Sequence, residues 1–420
     1  MGLMDARSTT NSANDPALTW PELALLLTGV LLLVVYNSGV LTAEVLPLKP
    51  RDGTLALLAL CVVPLLLSRK QYCVPALLLL TIPLLRLADA ALLRRFDMHE
   101  LGNHNASVAN LAAPVLITAA MLVIYSSRIG RRFAIWGSVA LILVIVGSNL
   151  YEWLGYAKWS SIDNRIAGFH RHPNTGPTFC MFCLTILFTL NKRFWWNMLM
   201  VLLSGIPTML SISRSCTMIY FGVTAIYIAV NARQHWRGLL LVALMMPPVF
   251  SAWLAAVEAR ATHGRIRPDE FTEGRLAAIY KFDLKGLKSQ ERGKDLADGW
   301  AAVWLRPTWG YGTGCAGGER WQPHNQVVAL WLELGIFGVL IYVLQLLVPT
   351  VACAMGGFRQ GWCLLPAFLD IPCLHWLPDM PMFWLALAVC YAELFKHRVE
   401  FRVNESESVA HGGLCFQSSR

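Results

Sequence analysis

The residues best suited to chemistry stand beside one glycine-rich stretch. Gly310-Tyr311-Gly312-Thr313-Gly314 is followed by Pro323-His324-Asn325, which runs straight into an apolar segment. Pro323 suits the start of a helix and Asn325 can accept the free amides of a first turn. His324 is therefore expected at a helix N-terminus, where the positive end of the dipole disfavours imidazolium and keeps the ring neutral, the form a general base requires. The same helix end attracts phosphate, so His324 reads either as a base, as a phosphate ligand or as a histidine satisfying local backbone groups.

Three further elements carry reactive side chains. The run Arg165-Ile166-Ala167-Gly168-Phe169-His170-Arg171-His172-Pro173-Asn174 precedes an apolar segment, and Arg165, Arg171, His172 and Asn174 are candidates for binding substrate. Ser211-Ile212-Ser213-Arg214-Ser215 joins two apolar segments with almost no loop, which puts Arg214 close to hydrocarbon. A charge at such depth costs about 2.5 to 3.5 kcal/mol at a helix centre and less toward its end. Arg214 then either snorkels to the interface or binds an anion among its serines. Leu296, Trp300, Val303 and Trp304 recur at helical spacing with Lys294, Asp295 and Asp298 on the other side, as in an amphipathic helix lying on a membrane surface.

No D-x-D pair or acidic cluster accompanies these elements to hold a divalent cation against phosphate, and no Walker-type glycine loop is present. Charge neutralisation falls to arginines, whose planar fork matches phosphate oxygens. A metal-free, cofactor-free site is expected.

These elements must be positioned by a membrane scaffold. Hydrophobic residues make up 56% of the 420 residues and charged residues 15%, against roughly 25% charged in a soluble protein. An all-α polytopic membrane protein follows. Candidate spans lie at 20-37, 53-68, 73-92, 107-125, 133-151, 174-190, 194-211, 215-231, 238-257, 326-350, 360-374 and 379-396, about twelve helices of suitable length. The segment before Trp20 is polar and does not read as a cleaved signal.

With the N-terminus cytoplasmic, the inner loops carry Arg69-Lys70, Arg128/Arg131/Arg132, Lys192-Arg193, Arg233/Arg237 and Arg359, and the tail carries Lys396 and Arg398. None of these inter-helix loops holds an Asp or Glu, as the positive-inside rule asks. The chain divides into nine spans over 1-257, an outward loop at 258-325, three spans over 326-396 and an inner tail at 397-420. The long loop holds Arg260, Arg265, Arg267, Arg275, Arg292, Arg306 and Arg320 among its basic residues, which implies an anionic partner outside. Ionisable groups gather at the outward ends of the spans, which favours surface chemistry over a flippase or transporter path through the interior. Most of the eleven cysteines, including Cys180 and Cys183, fall inside spans and read as small apolar residues.

The run from Arg292 through Trp304, Pro307, the Gly310 to Gly314 segment, Pro323-His324-Asn325 and Glu333-Leu334-Gly335-Ile336-Phe337-Gly338 resembles the shared core of the O-antigen ligase and polymerase superfamily. Gly168-Phe169, His172-Pro173-Asn174 and Ser213-Arg214-Ser215 also look like that family's outer-face motifs. The resemblance effectively covers about 160 to 340. It implies a metal-independent, inverting glycosyltransferase of the Gram-negative inner membrane. Such an enzyme moves a glycan from undecaprenyl diphosphate to lipid A-core oligosaccharide at the periplasmic face, with no part for nucleic acid. An O-antigen polymerase or a protein O-oligosaccharyltransferase would use the same lipid-linked donor and differ in acceptor. The family's arginine ahead of the glycine segment maps to Arg292, with Arg275 in a similar Gly-Arg-Leu context. In this reading His324, Arg214 and Arg292 are catalytic, Asn325 joins the substrate-binding group, and Arg265 and Arg275 recruit the anionic headgroup.

Overall fold

The computed structural model describes residues 73–93, most of 111–162, 165–262, 290–316, 321–356, 362, 364–370 and 382–392. Among them every regular element is helical. In chain order they are α1 (Cys73–Ala88), continued by a π-turn at Asp89–Leu93, then α2 (Arg128–Trp153), α3 (Thr175–Leu190), α4 (Phe194–Leu210) and α5 (Arg214–Thr262). After these come α6 (Gln290–Leu305), α7 (Gln326–Gly356), α8 (Leu365–Asp370) and α9 (Met382–Ala392). Helical residues between 111 and 125 lie where a span is expected; the spans at 20-37 and 53-68 and the tail at 397-420 lie outside the described residues.

Among the described residues three stretches are long and apolar enough to cross a membrane: Gly130–Trp153, Ser215–Arg237 and Gln326–Val351. Shorter apolar helices cover Thr175–Leu190, Phe194–Leu210 and Met382–Ala392. The helical core of a membrane protein is thus present. One expectation changes in detail. The loop expected around Arg233 and Arg237 is helix, broken at one residue, His235 (φ −125°, ψ 19°), whose ring stacks 4.1 Å from Phe194. Of the span expected at 360-374, residues 362 and 364–370 are described and include the six-residue helix α8; the rest of that range lies outside the described residues.

α2 packs on α3 and α4, these two on each other and on α5, and α7 lies between α1 and α6. One apolar cluster joins α1 to α5, α7 and α9, with Phe182, Tyr342, Phe383, Trp384 and Tyr391 all buried. Outward, α7 shows Phe337, Leu340, Leu344 and Leu347 at helical spacing, a face that hydrocarbon can cover.

Each of two prolines strands a carbonyl one turn back, and the core supplies a donor for it. Pro83 cannot bond Leu79, and Gln345 Nε2 donates to the Leu79 carbonyl at 3.1 Å. Pro349 leaves the Gln345 carbonyl, which takes the Tyr391 hydroxyl at 2.9 Å. α7 has a second break at Gly335 (φ 71°), where a Cβ would fall 1.9 Å from the Thr308 carbonyl oxygen. Only glycine admits the 306–316 loop at that point.

Candidate functional site

Glu152 at the end of α2 organises the first element, the one that leads into α3. Its Oε1 accepts the amides of Trp159 and Ser160, each at 2.7 Å, and its Oε2 those of Ala167 at 2.9 Å and Gly168 at 2.7 Å. The carboxylate thereby closes the loop onto the helix that carries it. Gly168 (φ 58°) lies so close to Ser148 and Asn149 that a Cβ would clash. Arg165 is buried; its Nε donates to the Ser211 carbonyl at 2.7 Å and its Nη2 to Asn174 Oδ1 at 2.6 Å. These bonds join the first element to the second. Asn174 precedes α3 without capping it through its side chain, because that oxygen is on Arg165.

The two histidines here differ. His170 sits edge-on to Phe179 at 5.0 Å, and burial pushes its pKa down to about 4. His172 is lowered by burial and then by Arg165, and its Nδ1 accepts the Asn174 amide at 3.3 Å. Arg171 is exposed at φ 59°, and its carbonyl takes both the amide and the hydroxyl of Ser161.

The second element is the link between α4 and α5. Ser213 Oγ accepts the Cys216 amide at 3.4 Å, a capping bond that leaves Arg214 as the first residue of α5. Only the backbone of Arg214 is described. Ile212 adopts φ 49°, a conformation that a β-branched residue rarely takes.

The third and fourth elements meet the second through α6. Arg292 Nη1 donates to Ser215 Oγ at 3.0 Å, which sets Arg292 beside the N-terminus that Arg214 opens. One turn on, Asp295 Oδ2 lies 3.8 Å from His324 Nε2. A turn further, Gly299 lies so near Pro323 that a Cβ would come within 3.0 Å of its ring, so glycine lets α6 close on the His324 turn. The apolar stripe expected on α6 divides accordingly. Val303 is buried against α7 with Ala302, while Trp300 and Trp304 stay largely exposed beside Trp331. Small residues make the close contact and the tryptophans line its exposed edge against Trp331, compatible with an interfacial helix.

Asn325 caps α7, its Oδ1 accepting the amides of Val327 at 3.0 Å and Val328 at 3.2 Å. That oxygen is committed to the cap, so a substrate contact through this side chain would use its amide nitrogen. His324 precedes the cap at φ 47° and is partly exposed. Its pKa is lowered from the ordinary value by burial and then by Arg292, while Asp295 pulls it up. The first cause is desolvation, not the helix dipole. The only described non-glycine residues with positive φ are Arg171, Ile212 and His324, one in each of three of these elements, and such strain gathers at functional sites.

The structure thus brings together His324, Arg292, the backbone start at Arg214 and, through Arg165, Asn174. Arg265 and Arg275 lie outside the described residues. Two participants were hidden in the sequence. Asp295 stood on the polar side of an amphipathic pattern, and Glu152 stood at a span end with nothing nearby to mark its partners. Among the described residues no three of His, Cys, Asp or Glu come together as a metal site.

A family model described as O-antigen ligase matches residues 198–343. The match runs from α4 into α7 and contains Arg214, Arg292, Asp295 and His324, but not the 152–174 element. Comparison with curated proteins finds no match. The apolar helices and the family domain mark a membrane protein with glycosyltransferase-type activity, acting on lipid-linked glycan and lipid acceptor in general. The domain at 198–343 is similar to the O-antigen ligase family and supports placing the chain in the O-antigen ligase and polymerase family.

Proposed function

We propose that the protein transfers a glycan from undecaprenyl diphosphate to a hydroxyl of lipid A-core oligosaccharide at the periplasmic face of the inner membrane. The observation that carries this reading is α6, which holds Arg292 on Ser215 and, one turn later, Asp295 beside His324. A base and a phosphate-matching arginine therefore stand on either side of one short helical turn.

Neutral His324 takes the proton from the acceptor hydroxyl as its oxygen bonds to the anomeric carbon. The bond from that carbon to the diphosphate oxygen breaks on the opposite side, inverting the centre. Arg292, with Arg214 at the head of α5, balances the charge on the departing undecaprenyl diphosphate. Asp295 favours the imidazolium that forms. His172 and Arg171 lie in the neighbouring outward element, where they are placed to meet the glycan or the headgroup. The loop carrying Arg265 and Arg275 supplies further positive charge for recruitment.

Reconstitution in proteoliposomes with an undecaprenyl diphosphate-linked glycan and lipid A-core tests the reading. The expected product is glycan on lipid A-core with inverted linkage, unaffected by chelators. Glycan found only on a growing glycan makes the protein a polymerase, and glycan on protein makes it an oligosaccharyltransferase. No transfer to any acceptor, or retained configuration, ends the proposal.

A further inference from the structure

The glycine segment that flags this site touches neither His324 nor Arg292 by any described hydrogen bond; its bonds run the other way, to α7 and to the π-turn after α1. Tyr311 N–H donates to the Leu332 carbonyl at 2.6 Å and Gly312 N–H to the Glu333 carbonyl at 3.0 Å. Gly314 N–H donates to Glu333 Oε1 at 2.9 Å, and Thr313 N–H to Asp89 Oδ2. Gly310, Gly312 and Gly314 all have positive φ, and a Cβ at Gly310 would collide with the Leu332 and Glu333 backbone.

This arrangement answers a problem created by the break at Gly335. The first stretch of α7, from Gln326 to Leu334, ends there, and its last carbonyls lose their helical partners. The glycine segment supplies two of the replacements. The Ile336 amide and the Trp331 indole both donate to the Pro307 carbonyl, at 2.9 and 2.8 Å, binding the other end of the same loop. His324 stands at the opposite end of that short helix, and α6, with Arg292 and Asp295, runs directly into the loop at Arg306. Whatever fixes the loop fixes both bearers of the site.

The fixing comes from α1. Arg86 Nε meets Glu333 Oε2 at 2.8 Å and its Nη2 meets Oε1 at 3.3 Å, both side chains buried. One turn later, Asp89 holds Thr313. We propose that Arg86, Asp89 and Glu333 are positioning residues, a buried latch that holds the 310–314 segment against the α7 break and so sets His324 relative to Arg292. The proposal rests on the transfer reaction above for its kinetic consequence only. A latch built into the membrane-embedded scaffold aligns the outer site without occupying it.

Nitroxide labels at Tyr156 and Leu296, in full-length protein stripped of native cysteines and held in proteoliposomes, read the placement of α6 against the loop scaffolded by Glu152. Both positions are exposed. Glu333→Leu and Asp89→Leu should broaden or shift the distance distribution. They should also lower kcat by about 10²-fold, the scale of an ångström-level misplacement, with KM for the lipid-linked donor near the parent's. Asp89→Asn, which keeps an acceptor for Thr313, should match the parent in both readouts. If Glu333→Leu does not fold, Arg86→Lys, which keeps the charge and loses the fork, is read in its place. An unchanged distance distribution overturns the proposal, and so does a broadened one with undiminished kcat. If the parent itself transfers nothing, the proposed function has failed, and the distance distributions alone then sustain or overturn the latch.

Discussion

Two regions of this molecule use their polar groups in opposite ways. In the 152–174 region Glu152 accepts four backbone amides and buried Arg165 bridges Ser211 and Asn174, so the charges are tied into the fold. In the 292–324 region Arg292 holds Ser215 through one described hydrogen bond, and Asp295 stands 3.8 Å from a partly exposed His324. The first arrangement ties its charges to backbone amides, a carbonyl and a side-chain amide; the second sets Arg292 and Asp295 beside a partly exposed ring. Arginine thus serves as a strut at 165 and as a candidate anion binder at 292.

The sharpest way to break this comparison is at His324. His324→Ala should leave the thermal melting of the detergent-solubilised protein unchanged and still bind the lipid-linked donor, while transfer falls by about 10²- to 10⁴-fold. Loss of donor binding with an undiminished rate for the bound complex would make His324 a phosphate ligand instead. Next in size come Arg292→Lys and Arg214→Lys. Each should lose about 10²-fold in transfer with little change in melting, since a point charge cannot reproduce the guanidinium fork. Near-normal transfer by both would remove them from the site.

The 152–174 region should respond the other way. Glu152→Ala strands buried amide donors, each costing about 1–3 kcal/mol, so the melting temperature should drop clearly. The surviving folded fraction should transfer at the parent rate per molecule. Arg165→Ala should behave similarly, because it leaves the Ser211 carbonyl and the Asn174 side chain without their described donor. A folded, stable Arg165→Ala that no longer binds donor would place Arg165 with the substrate and erase the contrast.

Local features of this design were legible in the sequence. Asn325 before an apolar run announced the cap of α7, and the apolar blocks at 174-190 and 194-211 matched α3 and α4 within a residue. Such signals depend on neighbours along the chain. The long-range partnerships were not legible for the converse reason. Glu333 and Arg86 are 247 residues apart, and nothing local to either states that a helix break will expose carbonyls between them. Periodicity assigned Asp295 to the polar side of α6, but it cannot say that His324 faces it. The break at Gly335 was also invisible, since an isolated glycine in an apolar helix has several uses and only the approach of Thr308 selects one.

The smallest expected effect is also the one that reads the open region most directly. Burial and the Arg292 charge hold His324 below its ordinary 6.5, and Asp295 opposes them. The base works as the neutral ring, so the acid limb of kcat/KM against pH should fall below 6.5. Asp295→Asn removes the group that stabilises imidazolium. The limb should then move to still lower pH, and the plateau should drop by no more than about tenfold, because a less basic ring abstracts the proton less readily. Arg292→Ala has the opposite sign: with the cation gone, the limb should shift upward toward the ordinary histidine value while the plateau falls for want of the anion partner. The comparison is sharpened by His172, whose depression traces to burial and Arg165. His172→Gln should leave the limb where it is if that ring takes no proton in the rate-determining step. A limb that follows His172 and ignores Asp295 would move the base from the open region to the tied one.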